Sequence, residues 1–120
     1  GATDIYKPRL AYFGYRYIEI EGANEEDIIN ARSIFVHQDV NLKGDFHCSD
    51  ELLNKIYAAS RIATLSNLFN MPTDCPSREK LGWCNDAQAS CEQMLQNYEI
   101  EPLYDKWLQD IKDAMKGAKK

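Results

Sequence analysis

Two hydrophobic periods divide the chain. Before about residue 48 the apolar positions cluster or alternate as they do in strands. The run Tyr15-Arg16-Tyr17-Ile18-Glu19-Ile20-Glu21 is rich in β-branched and aromatic residues, which suit a pleated surface, and lies between Gly14 and Gly22. Residues 32–37 read as a second strand, and residues 10–13 as a segment that pairs nearby. Residues 23–30 and 38–47 read as loops. From Asp50 the spacing becomes helical. Leu52, Leu53, Ile56, Tyr57, Ile62, Ala63, Leu65 and Leu68 form a wide apolar stripe that runs to about Phe69. Ser49 stands at the N-cap position, with Asp50 and Glu51 in a first turn where acids complement the helix dipole. Pro72 and Pro76 cannot continue that helix and hold the stretch around them as a loop. Asn85 with Gln88 three residues on is capping-box-like, which predicts a second helix from Asn85 to about Tyr98. Pro102 suits the first turn of a third helix, with Tyr104, Leu108, Ile111 and Met115 on its buried side. Strands and then helices make an α+β order rather than a βαβ alternation.

Composition narrows the class. With 120 residues, 44% hydrophobic and 28% charged, the chain has an ordinary soluble balance at the size of one small domain. Its 14 Lys and Arg against 19 Asp and Glu give a net charge of −5, and the basic residues are scattered. That excludes a phosphate-backbone binder, so no nucleic-acid partner is expected. No apolar run approaches the roughly 18 residues of a membrane span, so no membrane insertion is expected either. The N-terminus shows no signal-peptide pattern. Periplasm, cytoplasm and secretion all stay open for a soluble chain. Three helices with two or three strands make a thin core, which implies exposed apolar surface.

The four cysteines, Cys48, Cys75, Cys84 and Cys91, form no Cys-x-x-Cys pair, and His37 and His47 complete no zinc-like cluster. Cys84 and Cys91 are seven apart, which on one helix is about 10 Å, too far for a disulfide. All four read as reduced and mostly buried, with no metal site. His37 and His47 read as ordinary loop or strand-end residues.

The chemistry is concentrated in Asp74-Cys75-Pro76-Ser77-Arg78-Glu79-Lys80-Leu81-Gly82-Trp83, which closes on Asn85-Asp86. Asp74, Glu79 and Asp86 are five and seven residues apart, offsets that do not line one helical stripe. They suit a chain that curls around a polar ligand. Carboxylates accept hydrogen bonds from hydroxyls, an indole covers the apolar face of a sugar ring, and a guanidinium orients carboxylates. This is the equipment of a carbohydrate site. Each residue also has a plainer use. Glu79 would be a solvated surface acid beside Arg78 and Lys80. Asp74 would make an Asx-type turn. Asp86 would stabilise a helix start. Arg78 would form a structural ion pair, and Trp83 would pack beside Gly82. Tyr57 and Phe69 read as core.

That stretch, preceded by Asn70-Met71-Pro72-Thr73 and continued by Asp86-Ala87-Gln88, resembles the active-site motif of the bacterial alpha-L-rhamnosidases, glycoside hydrolase family 78. Residues 12–20 resemble that family's last strand before its catalytic domain, residues 44–50 the lead-in to its first barrel helix, and residues 107–111 a later helix. The resemblance implies that residues 1–47 end a β-sandwich domain and linker, and that residues 48–120 begin an (α/α)6 six-hairpin barrel. It implies Glu79 as general acid of an inverting hydrolysis of terminal alpha-L-rhamnose, with Asp74, Arg78, Trp83 and Asp86 as substrate contacts and no cofactor. Cys84 and Asn85 stand where the family commonly has Thr and Gly. The family's general base, a Glu far downstream, has no counterpart among these residues, so the isolated chain is expected to be inactive. The implied partners are a rhamnose-containing carbohydrate, and either the remainder of such an enzyme or a second copy on the exposed apolar surface. The alternative is a non-catalytic carbohydrate-binding or structural remnant.

Overall fold

The computed structural model describes residues 3–118. Its regular structure is helical: α1 (Glu51–Ser66), α2 (Cys84–Asn97), α3 (Glu101–Gly117) and a short 3-10 turn at Glu25–Asp27. Asp50 rather than Ser49 caps α1, its Oδ1 accepting from the backbone N–H of Leu52 at 2.8 Å and of Leu53 at 3.3 Å. The acid expected in the first turn is therefore the cap itself, and it satisfies two of the amides that a helix start leaves unpaired. Trp83 occupies the N-cap of α2 and supplies no side-chain cap. Asn85 already lies inside α2, so the expected capping box does not form. Pro102 sits in the first turn of α3, where its missing N–H removes no helical bond.

The expected N-terminal strands are corrected by the structure. Residues 10–13, 15–21 and 32–37 form no strand, and the described chain is mostly helical rather than α+β. A strand is stabilised by ladder bonds to a neighbour and by one buried face. Here Tyr17 is 88% exposed and Ile18 60%. Tyr15 and Ser33 share a hydroxyl hydrogen bond of 2.8 Å, but no backbone ladder joins their segments. The stretch 38–44, expected as loop, is better anchored. Gln38 N–H donates to the Leu68 carbonyl at 2.6 Å, Lys43 N–H to that of Asn97 at 2.9 Å, and Glu99 N–H to that of Asn41 at 3.0 Å. Leu42 and Tyr98 form an isolated antiparallel bridge there.

The core sits where the ends of α1 and α2 meet the start of α3. Leu68, Met94, Tyr98, Ile100 and Leu103 are buried together, with Val40, Leu65, Leu95 and Tyr104 packed around them. The polar tips of the buried aromatics are paired: Tyr98 Oη donates to the Arg61 carbonyl at 3.2 Å and Tyr104 Oη to the Ala87 carbonyl at 3.0 Å. On α3 the buried line runs through Leu103 and Trp107. Leu108 and Met115, expected inside, face solvent, while Tyr104 and Ile111 are half-buried. The expected stripe sat slightly around the helix because Trp107, the largest side chain available, takes the centre of the contact. Tyr57 is half-buried and Phe69 lies at the surface against Tyr12, so neither joins the core. The cysteines are free as expected, but none is fully buried, and Cys84 is exposed.

Most of α1 is uncovered. Thr64 is its one buried residue, whereas Leu52, Leu53, Ile56 and Ile62 are exposed. The described chain is correspondingly flat, 55 × 54 × 21 Å, with a radius of gyration of 18.7 Å. A compact domain of this length has about 14 Å. No helix among the described residues is long and apolar enough to cross a membrane.

Candidate active site

The loop after α1 is built on a buried footing. Asn67 closes α1, its N–H donating to the Thr64 carbonyl at 3.0 Å. The chain reverses through Asn70, whose φ of 68° is tolerated by Asn better than by most residues, and Leu68 pairs with Pro72 in an isolated bridge. Thr73, buried, then returns two hydrogen bonds to the Asn67 carbonyl, from N–H at 2.8 Å and from Oγ1 at 3.1 Å. The chain beyond Thr73 is therefore held from one side by the core.

Asp74 closes the loop at its neck. Its N–H donates to the Leu81 carbonyl at 3.0 Å, and its Oδ1 accepts from the Leu81 N–H at 2.8 Å. The neighbouring Cys75 thiol, and after it the Leu81 amide, holds the Asp74 carboxyl below the usual carboxylate range. Inside the loop, Glu79 N–H donates to Cys75 Sγ at 3.2 Å. The Glu79 side chain is exposed and accepts a hydrogen bond of 2.9 Å from Trp83 Nε1. The indole thus fixes the direction of this carboxylate across one helical turn's worth of chain. Gly82 is needed for the way out: a Cβ there would lie 2.9 Å from Met71 Sδ and 3.0 Å from Trp107 Nε1, so a side chain would push the loop off α3.

The five residues singled out from the sequence are not all brought together. Asp74, Glu79 and Trp83 belong to one hydrogen-bonded unit. Arg78 is exposed and forms no ion pair among the described residues. Asp86 is exposed on the first turn of α2, where its charge favours the helix start. Its carbonyl accepts from Ser90 Oγ at 2.7 Å, and its carboxylate bonds to none of the other four among the described residues. Trp83 is 52% exposed, not packed in the core. Two contributors were missed by sequence reasoning. Cys75 is a loop acceptor rather than a filler, and Lys80 reaches out of the loop to Tyr12. Neither contact has a signature along the chain, because each depends on the direction of a turn.

The site lies open. One recess of about 430 Å³ lies between residues 38–41 and the start of α3, with Asp39, Asn41, Glu99 and Lys106 among its walls. Another, of about 260 Å³ and mostly apolar, lies between α2 and α3 along Cys84, Cys91, Tyr104 and Trp107. Glu79 lines neither. No cluster of three or more His, Cys, Asp or Glu suited to a metal ion occurs among the described residues.

The loop carries an exposed carboxylate bonded to an indole and stands on a helical scaffold. The chain belongs to the family described as the bacterial alpha-L-rhamnosidase 6 hairpin glycosidase domain, whose pattern it matches over residues 41–119. It is 37% identical over 117 residues to an alpha-L-rhamnosidase of Formosa agariphila, covering 97% of this chain and 12% of that protein. An alpha-L-rhamnosidase of Alteromonas sp. (strain LOR) is 28% identical, with 90% of this chain and 12% of that protein covered. Among solved structures, the alpha-L-rhamnosidase from Dictyoglumus thermophilum matches with a TM-score of 0.63 at 46% identity. That match covers 65% of this chain and 9% of the solved one. The chain therefore spans about an eighth of the length of the curated relatives it matches.

Proposed function

We propose that residues 74–86 form the general-acid loop of an alpha-L-rhamnosidase, with Glu79 as the acid. The observation that carries this reading is the Glu79–Trp83 hydrogen bond on a loop clasped at Asp74 and Leu81. Hydrolysis of a glycoside needs a protonated carboxyl held against the leaving oxygen. An exposed carboxyl with a fixed direction, beside an exposed indole, suits that task. Asp74, Arg78 and Asp86 would take sugar hydroxyls, and Trp83 would cover the C–H face of a terminal rhamnose. Ser77, Arg78 and Glu79 are exposed, which leaves room for a large glycoside, and the similarity to alpha-L-rhamnosidases supports a rhamnose-containing glycoside or polysaccharide as substrate class.

The reaction would be inverting. Glu79 gives its proton to the departing aglycone oxygen while a second carboxylate takes a proton from the attacking water, so charge balances and no covalent intermediate forms. The two carboxyls of such a pair stand about 6.5 to 9.5 Å apart across the sugar. Asp74 is committed to Leu81, and Asp86 is expected on the same side of the sugar as Glu79. The base would come from chain beyond these residues. Residues 48–120 would open the helical barrel, and residues 1–47 would end a preceding domain and its linker. A second reading, a non-catalytic carbohydrate-binding or structural piece, is favoured by the position of Glu79 outside both recesses among the described residues.

Turnover of an aryl alpha-L-rhamnoside separates them. In a polypeptide that carries the whole glycosidase domain, Glu79→Gln should lower kcat by ~10² to 10⁴, most for poor leaving groups. Near-normal turnover of unactivated rhamnosides by that variant would remove Glu79 from the acid role. The 120 residues alone should show no Glu79-dependent turnover.

A further inference from the structure

Lys80 is the charged residue of the loop that the proposed chemistry leaves unused. Its φ is +56°, a left-handed conformation that a side chain disfavours. What holds it there comes from far along the chain. Lys80 Nζ donates to the Tyr12 carbonyl at 2.6 Å. It also lies 4.5 Å from the centre of the Tyr12 ring and 5.4 Å from that of Phe13, within cation–π range of both. Tyr12 in turn stacks on Phe69 at the end of α1, with ring centroids 4.5 Å apart. Gly14 closes the seam: a Cβ at that position would lie 2.9 Å from Ser77 Cβ, so the N-terminal segment runs in contact with the loop itself. Partial burial, together with the nearby Cys75 and Asp74, pushes the Tyr12 phenol up.

We propose that Lys80 is a positioning residue, which clamps the Glu79 loop to residues 12–14 and thereby sets the direction of the Glu79 carboxylate. The loop is gripped on its inner side by the Asp74–Leu81 and Cys75–Glu79 bonds and on its outer side by Lys80. Without the ammonium, nothing on the outer side keeps residue 80 left-handed. The adjoining peptide then relaxes, and Glu79 leaves Trp83 Nε1. The clamp makes the acid loop depend on a segment outside the matched family region of residues 41–119. Its catalytic consequence rests on the reading of Glu79 as the acid; its geometry does not.

The test reads geometry without substrate. In the 15N-labelled chain the two indole N–H signals are those of Trp83 and Trp107. Trp107 Nε1 lies against Gly82 of the loop, so the core is read separately, from cooperative thermal unfolding. In the wild type the Trp83 N–H donates to the Glu79 carboxylate, so its signal should move when Glu79→Gln removes the charge. In a Lys80→Met background that displacement should disappear while cooperative unfolding is kept, and Lys80→Arg should restore it. Gly14→Ala should weaken it from the other side of the seam without touching the lysine. A Trp83 displacement by Glu79→Gln that is unchanged in both Lys80→Met and Gly14→Ala overturns the proposal. So does loss of cooperative unfolding in Lys80→Met, since Lys80 would then hold the fold and not the loop. With the whole glycosidase domain present, Lys80→Met should lower kcat about 10- to 100-fold at constant KM, the scale of a misplaced catalytic group. A lost Trp83 response to Glu79→Gln with unchanged kcat in Lys80→Met supports the clamp while removing Glu79 from the chemistry.

Discussion

Asp74 shows how one side chain serves a loop and records pH at the same time. It holds both ends of the loop through Leu81, and the Cys75 thiol with the Leu81 amide keeps its carboxyl ionised to lower pH than usual. That depression sets the sign of the pH effect. A carboxyl whose folded pKa is depressed stabilises the fold above its unfolded value of about 3.9 and loses that contribution as pH falls through the folded value. Asp74→Asn keeps an oxygen for the Leu81 N–H but removes the charge. Wild type should therefore exceed Asp74→Asn in thermal midpoint at pH 7, and the gap should close as acidification passes below the ordinary carboxylate range. A gap that stays constant across that range would mean that the charge at Asp74 does not matter to the loop. Cys75 was legible only as a small, reduced residue; its place as acceptor for Glu79 N–H depended on the turn through Pro76 and Ser77.

At the level of elements, α1 separates what its sequence signals from what packs. The helical period of residues 52–68 was readable because Leu and Ile recur three and four positions apart, and α1 does form over most of that span. Its start was misplaced by one residue, since Ser49 and Asp50 are both good caps and only the chain's approach selects between them. That selection has a measurable consequence. Asp50→Ala should cost about 1 kcal/mol in thermal or denaturant unfolding, as loss of an N-cap bond usually does. Ser49→Ala should stay within about 0.5 kcal/mol, the ordinary range for an uninvolved surface position. The reverse ranking would show that Ser49 is the working cap. On α2, Asn85 and Gln88 had the spacing of a capping box, but Trp83 is the N-cap and Asn85 already lies inside the helix.

For the assembly of elements, the uncovered side of α1 is an unmet demand on a regular helix. Leu52 is 65% exposed, Ile56 56% and Ile62 59%, and they lie along one apolar stripe. In water such a stripe favours covering by apolar surface, roughly 25 cal/mol for each Å² removed. The purified chain should therefore self-associate, its sedimentation coefficient rising with concentration. A Leu52→Lys, Ile56→Glu double variant should sediment as a monomer over the same range while keeping its helices. If the double variant associates as strongly as wild type, the α1 stripe is not the surface in question.

Residues 52–68, 85–97 and 102–115 carried their helices in their own spacing, because helical hydrogen bonds close within the segment that makes them. The loop between Thr73 and Trp83 was legible for the same reason, since Pro72 and Pro76 forbid helix locally whatever surrounds them. The strands expected at 15–21 and 32–37 failed because a strand's bonds and its buried face both belong to a neighbour, and among the described residues no backbone ladder joins them to one. The residue types at Asp74, Glu79 and Trp83 suggested a polar-ligand loop along the chain, yet their joining by the Leu81 and Trp83 hydrogen bonds was decided in three dimensions. So was the grip of Lys80 on Tyr12. Local covalent and dihedral constraints are written along the chain, whereas contacts between distant residues depend on turn directions that no local pattern encodes.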